Sequence, residues 1–426
     1  MSISFEAGTL QVGAVALPDV AAAVGTPVYV YDAAGIGERY RRLEAAFAAL
    51  PLGIRYAVKA NSNEAILRLL RELGAGFDLV SGGELARALR ARCDPNDCVF
   101  AGVGKQDEEI REALRQGVGL LNVESPSELE RIQVIAQELD VEASVAIRLN
   151  PDVAVRTHAY ISTGKKENKF GVGFAVADAM LRSLRADPRV QLRAYHVHLG
   201  SLLLEPGPYL EALALVLDWM DADPLRSEGI CAYDMGGGLG IRGAFDEPLA
   251  LEELAAGMRE MLTPRGLRLL MEPGRYLVGN AGLVLTRVLH VKHGSEKDFA
   301  VVDAAMTELI RPALYAAEHE IVTVKERAGL GPRPVDVVGP VCESADFLGQ
   351  GLRLPALERG DLLAVLTAGA YGASMGSRYN SRPLAAEVLI DGGEARLVRR
   401  KETIEELWRH ECEQVLDLGE AGTDEH

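Results

Sequence analysis

Residues 54–124 read IRYAVKANSNEAILRLLRELGAGFDLVSGGELARALRARCDPNDCVFAGVGKQDEEIREALRQGVGLLNVE. Four short apolar runs stand out: IRYAVKA (54–60), GFDLV (76–80), CVFAG (98–102) and GLLNVE (119–124). They recur about every 22 residues, the spacing of a βα unit. Between them lie NEAILRLLRELG, GGELARALRARC and KQDEEIREALRQG, each amphipathic at helical spacing. Four more runs follow: SVAIRLN (144–150), AYHVHLG (194–200), CAYDMGGG (231–238) and LRLLMEPG (267–274). The helical segment before SVAIRLN, SPSELERIQVIAQELD, opens with Ser125 and Ser127 as cap candidates. Eight such units predict a closed (β/α)8 barrel. The competing open, doubly wound sheet places a glycine-rich turn after its first strand. Here the glycines follow run seven.

Past residue 282 the pattern changes. LVLTRVLHVKHG, DFAVVDAA, PVDVVGPVCES, DLLAVLTAGAYG, AAEVLIDGG and EARLVRRK are strand-like, with turn signals and little helix between them. They predict a β-rich second domain, a barrel or sandwich. PVYVYD (27–32) is also strand-like and precedes the barrel. The expected division is a barrel over 35–282 and a discontinuous β-domain from 1–34 plus 283–426.

The chain has 426 residues, nearly half apolar and a quarter charged, enough for a large core. Its net charge of −17 argues against nucleic acid and anionic membrane surfaces as partners. It does not exclude a small anionic substrate, which a local cationic pocket can hold. Five cysteines, Cys93, Cys98, Cys231, Cys342 and Cys412, fit a reducing compartment better than a disulfide framework. The opening MSISFEAGTLQVG lacks a basic n-region and an apolar h-region, and no run reaches membrane-spanning length. A cytoplasmic protein is expected, with DLGEAGTDEH as an acidic, frayed tail.

Barrel chemistry sits at the C-terminal ends of the strands. Run one leads to Lys59. Alone, it reads as a snorkelling lysine; at a barrel mouth, partial burial would lower its pKa and make the amine nucleophilic. Run seven ends in Gly236-Gly237-Gly238, followed by Leu239-Gly240, where barrel loops often bind phosphate through backbone N–H groups. A glycine triplet alone is more often a turn. Run eight ends in Glu272-Pro273-Gly274-Arg275. Arg275 is one partner for the carboxylate; a protonated pyridine nitrogen is another. Run six carries His196 and His198 on one face, which raises a zinc-hydrolase reading. No further histidine ends a barrel run, and no metal is expected. Cys93 and Cys98 have loose ligand spacing but no second pair, and read as structural. Lys59, a phosphate loop, a ring-nitrogen carboxylate and a stacking His198 together describe a pyridoxal phosphate site.

These motifs resemble those of the barrel-type (fold type III) pyridoxal-phosphate decarboxylases, and within them the members acting on diaminopimelate. YAVKAN, FDLVSGGE, IRLNP, THAYISTGKKENKFGV, HVHLGS, GGGLG, EPGRYLV, RPALY, CESAD and GAYGASMGSRYNSRPLAAEVLIDG carry the likeness over nearly the whole chain. The resemblance implies that Lys59 bonds the cofactor covalently, His198 stacks on its ring and Glu272 pairs with the ring nitrogen. It places Ser201, Gly237, Gly238, Gly274 and Arg275 at the phosphate or the nearby substrate carboxylate, and Tyr371 beside both. Asp78 and Arg148 would line the cofactor. Arg311 and Tyr315 would bind the distal end of the substrate. Cys342 and Glu343 would come from the other subunit of a homodimer, with active sites shared across the interface, and Cys342 or Lys59 would return a proton to Cα.

The implied reaction is decarboxylation of meso-2,6-diaminopimelate to L-lysine and CO2, the last step of lysine biosynthesis. The substrate has an amino-acid head at both ends, so an arginine fork suits its distal carboxylate and Glu343 its distal ammonium. A decarboxylase of D-lysine, D-ornithine or arginine type is the alternative, and a non-catalytic regulatory homologue would be expected to lose Lys59 or the phosphate loop. One departure is Leu202, where the family usually has glutamine after HxGS. The polar stretch THAYISTGKKENKF, between runs five and six, is the candidate lid.

Overall fold

Each of the eight runs forms a parallel strand: β1 (Leu52–Ala57), β2 (Gly76–Leu79), β3 (Cys98–Phe100), β4 (Leu120–Val123), β5 (Ala143–Leu149), β6 (Val190–Val197), β7 (Ala232–Asp234) and β8 (Arg268–Met271). They close into a barrel, β8 pairing with β1 through Leu270 opposite Gly53. This computed structural model describes residues 3–153, 169–241, 243 and 249–414. The lid stretch, apart from Lys169 and Phe170, and the acidic tail lie outside the described residues.

Residues two apart on a strand share a face. Val99, Leu120, Ala146, Ala194, Ala232 and Leu270 form one apolar cluster on the strands. Two residues further along β4 to β8 come Asn122, Arg148, His196, Asp234 and Glu272, all buried. An apolar plug therefore sits beneath a polar layer at the C-terminal mouth.

Helices α1 (Ala33–Ala46), α2 (Glu64–Glu72), α3 (Gly82–Arg90), α4 (Asp107–Gln116), α5 (Pro126–Leu139), α6 (Phe174–Ala186), α7 (Gly207–Asp221) and α8 (Leu251–Leu262) surround the barrel. Three of their starts have a capping side chain. Asn63, Ser81 and Ser125 accept from backbone N–H groups at 3.0, 3.2 and 3.2 Å, each worth about 1 kcal/mol. Only a short turn of helix, Arg275–Val278, follows β8. Helix α1, which precedes the first barrel strand, packs against α2 and α8 and fills that place in the ring.

Most of the remaining strands form a mixed sheet. Val28–Asp32 lies inside it, antiparallel to Gly282–His293 and parallel to Ala386–Asp391. The expected β-rich domain is present as this sheet, flanked by a small three-stranded sheet over residues 3–16. The sheet domain grips the loop after β1. Asn61 Nδ2 donates to the Gly369 carbonyl at 3.1 Å, and the Tyr371 N–H donates to the Ala60 carbonyl at 2.8 Å. Asn63 Nδ2 and Tyr31 Oη both donate to Glu387 Oε2, at 3.1 and 2.8 Å. No helix among the described residues is long and apolar enough to cross a membrane.

Candidate active site

Lys59 lies in a tight turn of 3-10 helix, Val58–Ala60, just past β1. Its ammonium is half-buried and ion-paired with the fully buried Asp78 at the end of β2. Burial pulls the lysine pKa down, but Asp78, Tyr371 and Glu272 more than offset this, so the amine is held above its ordinary range. This corrects the expectation that burial alone would lower it: a strand-end carboxylate faces the amine. Burial and Glu272 push the Asp78 carboxyl up, against the pull of Lys59.

Glu272 is buried, and both its oxygens are engaged: Asn122 Nδ2 donates to Oε1 at 3.1 Å, and His196 Nε2 lies 3.1 Å from Oε2. Burial alone would raise the Glu272 carboxyl; His196 and Lys59 outweigh it and hold it well below its ordinary range. His196 responds in reverse: burial lowers it, Glu272 raises it, and the net shift is upward. His198 is different. Burial, Arg148 and Lys59 push it down to about 3, so it is neutral. Its Nδ1 accepts the Gly237 N–H at 3.2 Å, which leaves the ring proton on Nε2. His196, Asp234 and Glu272 each place one ligand-type atom within 4.8 Å of the others. His198 is not in that group, so the H-x-H pair does not converge as a zinc site would need.

The glycine loop is close-packed. A Cβ on Gly237 would meet the Glu272 carbonyl at 2.4 Å; on Gly238, at φ +86°, it would meet the Gly200 carbonyl at 2.2 Å. This brings the Gly238 backbone beside Gly200 and Ser201, where the Leu203 N–H donates to the Gly238 carbonyl at 3.0 Å. Leu202, in the glutamine position, takes a left-handed φ of 62°. Gly274 would drive a Cβ to 3.0 Å from that of Ala60, which ties the end of β8 to the Lys59 turn.

Tyr371 bridges two regions. It is one of the groups acting on Lys59, and it lies under the Arg275 guanidinium, 4.7 Å from ring centroid to Cζ. Arg275 in turn bears on the buried Arg311, which shares one helical turn, Arg311–Tyr315, with the half-buried Tyr315. Arg148 is instead neutralised by Glu124 at 2.7 Å and lies over Phe170. Cys342 and Glu343 stand apart from these groups. Both are exposed; the Cys342 N–H donates to Asn380 Oδ1 at 3.1 Å, and Tyr379 Oη donates to Glu343 at 2.5 Å.

Sequence reasoning passed over Asn122, Glu124, Asp234 and His319. The first and third are polar interruptions of apolar runs, LLNV and AYDM, and stepping by two from the apolar plug finds them. Asp78 Oδ1, Asn122 Oδ1 and Asp234 Oδ2 are buried without a hydrogen-bond partner among the described residues. A mouth with unsatisfied acceptors, a glycine cradle, a lysine and a carboxylate held ionised fits pyridoxal phosphate.

This barrel and its mouth define the pyridoxal-dependent decarboxylase class, and residues 33–279 match the family model described as "Pyridoxal-dependent decarboxylase, pyridoxal binding domain". The chain is 47% identical over 410 residues to the diaminopimelate decarboxylase of Pseudomonas aeruginosa, covering 96% of this chain and 98% of the relative. The Helicobacter pylori diaminopimelate decarboxylase complexed with L-lysine superposes with a TM-score of 0.88 at 40% identity, covering 92% of this chain and 98% of that one. The M. jannaschii enzyme in co-complex with L-lysine gives 0.92 at 33% identity, covering 97% and 98%. The chain belongs to the diaminopimelate decarboxylase family, is a pyridoxal-phosphate enzyme, and the hydrolase reading gives way.

Proposed function

We propose that the protein decarboxylates meso-2,6-diaminopimelate to L-lysine and CO2 in the cytoplasm, as a homodimer. Residues 35–282 serve as the cofactor-binding barrel, and 1–34 with 283–426 as the domain that closes over it. The observation that carries this reading is the two-ended mouth. Lys59, Asp78 and Glu272 meet at one end. Arg275 and Arg311 stand at the other, and Tyr371 is shared by both.

Lys59, paired with Asp78 at the mouth, would hold the cofactor covalently. His198, neutral, would flank the cofactor ring. Glu272, kept ionised by His196 and Lys59 and hydrogen-bonded by Asn122, would hold a proton on the ring nitrogen. Ser201, Gly237, Gly238, Gly274 and Arg275 would hold the phosphate, and Asp78 and Arg148 would line the cofactor. When bound, the cofactor supplies an electron sink for the charge left at Cα as CO2 departs. Lys59 or Cys342 returns a proton to Cα. Arg311 and Tyr315 take the distal carboxylate. Cys342 and Glu343, exposed in one chain, serve the neighbouring subunit's site, Glu343 facing the distal ammonium. A substrate ending in a bare amine would leave two neighbouring guanidiniums without a counter-ion, which disfavours the alternative of lysine- or ornithine-type decarboxylation.

The test is CO2 release from meso-, LL- and DD-diaminopimelate, lysine, ornithine and arginine, each with and without added cofactor. Turnover of the meso isomer alone is expected; ornithine or arginine turned over with comparable kcat/KM would overturn the assignment. In Lys59→Ala, the visible absorbance of the bound cofactor and turnover are lost together.

A further inference from the structure

Arg148 and Arg311 are both buried, at 7% and 8% exposure, and they are held in opposite ways. Arg148 has a carboxylate partner, Glu124, at 2.7 Å. Arg311 has none among the described residues. Its Nη1 instead lies 3.0 Å from His319 Nε2, and His319 Nδ1 lies 2.9 Å from the Leu366 carbonyl oxygen. A carbonyl only accepts, so Nδ1 carries the ring proton and Nε2 is the acceptor for Arg311. His319 is therefore neutral. Burial and Arg311 also drive its pKa down, to about 4.

The consequence is electrostatic. A carboxylate would orient the guanidinium and cancel its charge; a neutral imidazole orients it and leaves the charge whole. Arg275 stands close enough to act on Arg311 as a like charge. Arg311 Nε is buried with no hydrogen-bond partner among the described residues. Two adjacent guanidiniums, one buried with an unpaired donor, are costly unless an anion joins them.

We propose that His319 is a positioning residue that fixes the Arg311 fork as a neutral acceptor, and that the charge it preserves selects ligands bearing a carboxylate at the end remote from Lys59. This rests on the proposed diaminopimelate reading. The product L-lysine keeps that carboxylate; the diamine cadaverine lacks it.

The experiment uses cofactor-loaded enzyme and measures inhibition by L-lysine and by cadaverine, with KM and kcat for meso-diaminopimelate. His319→Glu, which offers Arg311 a carboxylate, is expected to reduce the lysine-over-cadaverine preference at least tenfold. KM should rise more than kcat falls, with the cofactor absorbance unchanged. His319→Gln keeps an acceptor oxygen without charge and is expected to stay within threefold of wild type. His319→Leu, which removes the acceptor, should lose several-fold in lysine affinity and little in cadaverine affinity, and carries the test if His319→Glu does not fold. A wild-type preference in the folded Glu or Leu variant overturns the proposal for His319. Failure of the wild type to turn over diaminopimelate overturns instead the function on which it rests.

Discussion

Glu272 takes its two hydrogen bonds from Asn122 and His196, two side chains of the same polar layer. Glu272→Gln keeps the shape and removes the charge that would hold a proton on the cofactor ring. We expect kcat to fall about 100-fold or more, because electrostatic support of developing charge is a large part of catalysis. Cofactor absorbance should persist through Lys59; an unchanged kcat would place the ring nitrogen elsewhere. His319 gives a pH prediction. Its folded pKa is about 4 against an ordinary 6.5, so between those values the unfolded chain binds more protons. Stability then rises with pH across that window and is lost as pH falls below 6.5. His198, pushed down to about 3, acts in the same sense, and His196 in the opposite one. Urea unfolding of His319→Gln from pH 7 to 4.5 should show a shallower loss, by up to about 1.4 kcal/mol per pH unit. An unchanged slope would mean that His319 is protonated when folded. At this scale the sequence pointed to Lys59, His198 and Glu272 through a lone lysine, an H-x-H pair and the EPGR turn. Asp234 and Asn122 lie within runs, where a polar residue does not announce which face it takes. His319 was hidden because its role depends on Leu366, 47 positions away.

The glycine loop after β7 is a packing element as much as a phosphate cradle. Gly238 has φ +86°, and a Cβ there would stand 2.2 Å from the Gly200 carbonyl. Gly238→Ala must therefore push apart the loops after β6 and β7, which are joined by the Leu203–Gly238 hydrogen bond. Cofactor affinity should fall at least tenfold, read as the dissociation constant from absorbance titration. Wild-type affinity would show that the loops separate without disturbing the cradle. All eight strand runs were legible from their period, and so was the closed barrel. Two local features were not. Lys59 is in a turn rather than on its strand, because Val58–Ala60 winds into a 3-10 turn. The helix that completes the ring, α1, lies before the first barrel strand, and its glycines, Gly35 and Gly37, blunt its helical signal.

Across the whole molecule, the sheet domain holds the Lys59 turn from one side through Tyr371 and Gly369, while Cys342 and Glu343 face outward with Tyr379. The strand Val28–Asp32 makes this coupling possible. It enters the sheet between two strands from the far end of the chain, so barrel and sheet share a boundary on which Tyr31, Asn63 and Glu387 meet. That sheet pairing is long-range, and sequence patterning marked the strand but not its neighbours. The proposed homodimer gives this exposed pair its role. If two chains related by a two-fold axis exchange these residues, each site takes Lys59 from one chain and Cys342 and Glu343 from the other. Lys59→Ala and Cys342→Ala homodimers are then each inactive or nearly so. Mixed in equal amounts and allowed to exchange, half the dimers are hybrids, and in each hybrid one of the two sites is whole. Activity should recover to about a quarter of wild type, and should fall on dilution as the dimers separate. A mixture no more active than the mean of its parts would show that each chain builds its site alone, and that Cys342 acts only within its own surface loop.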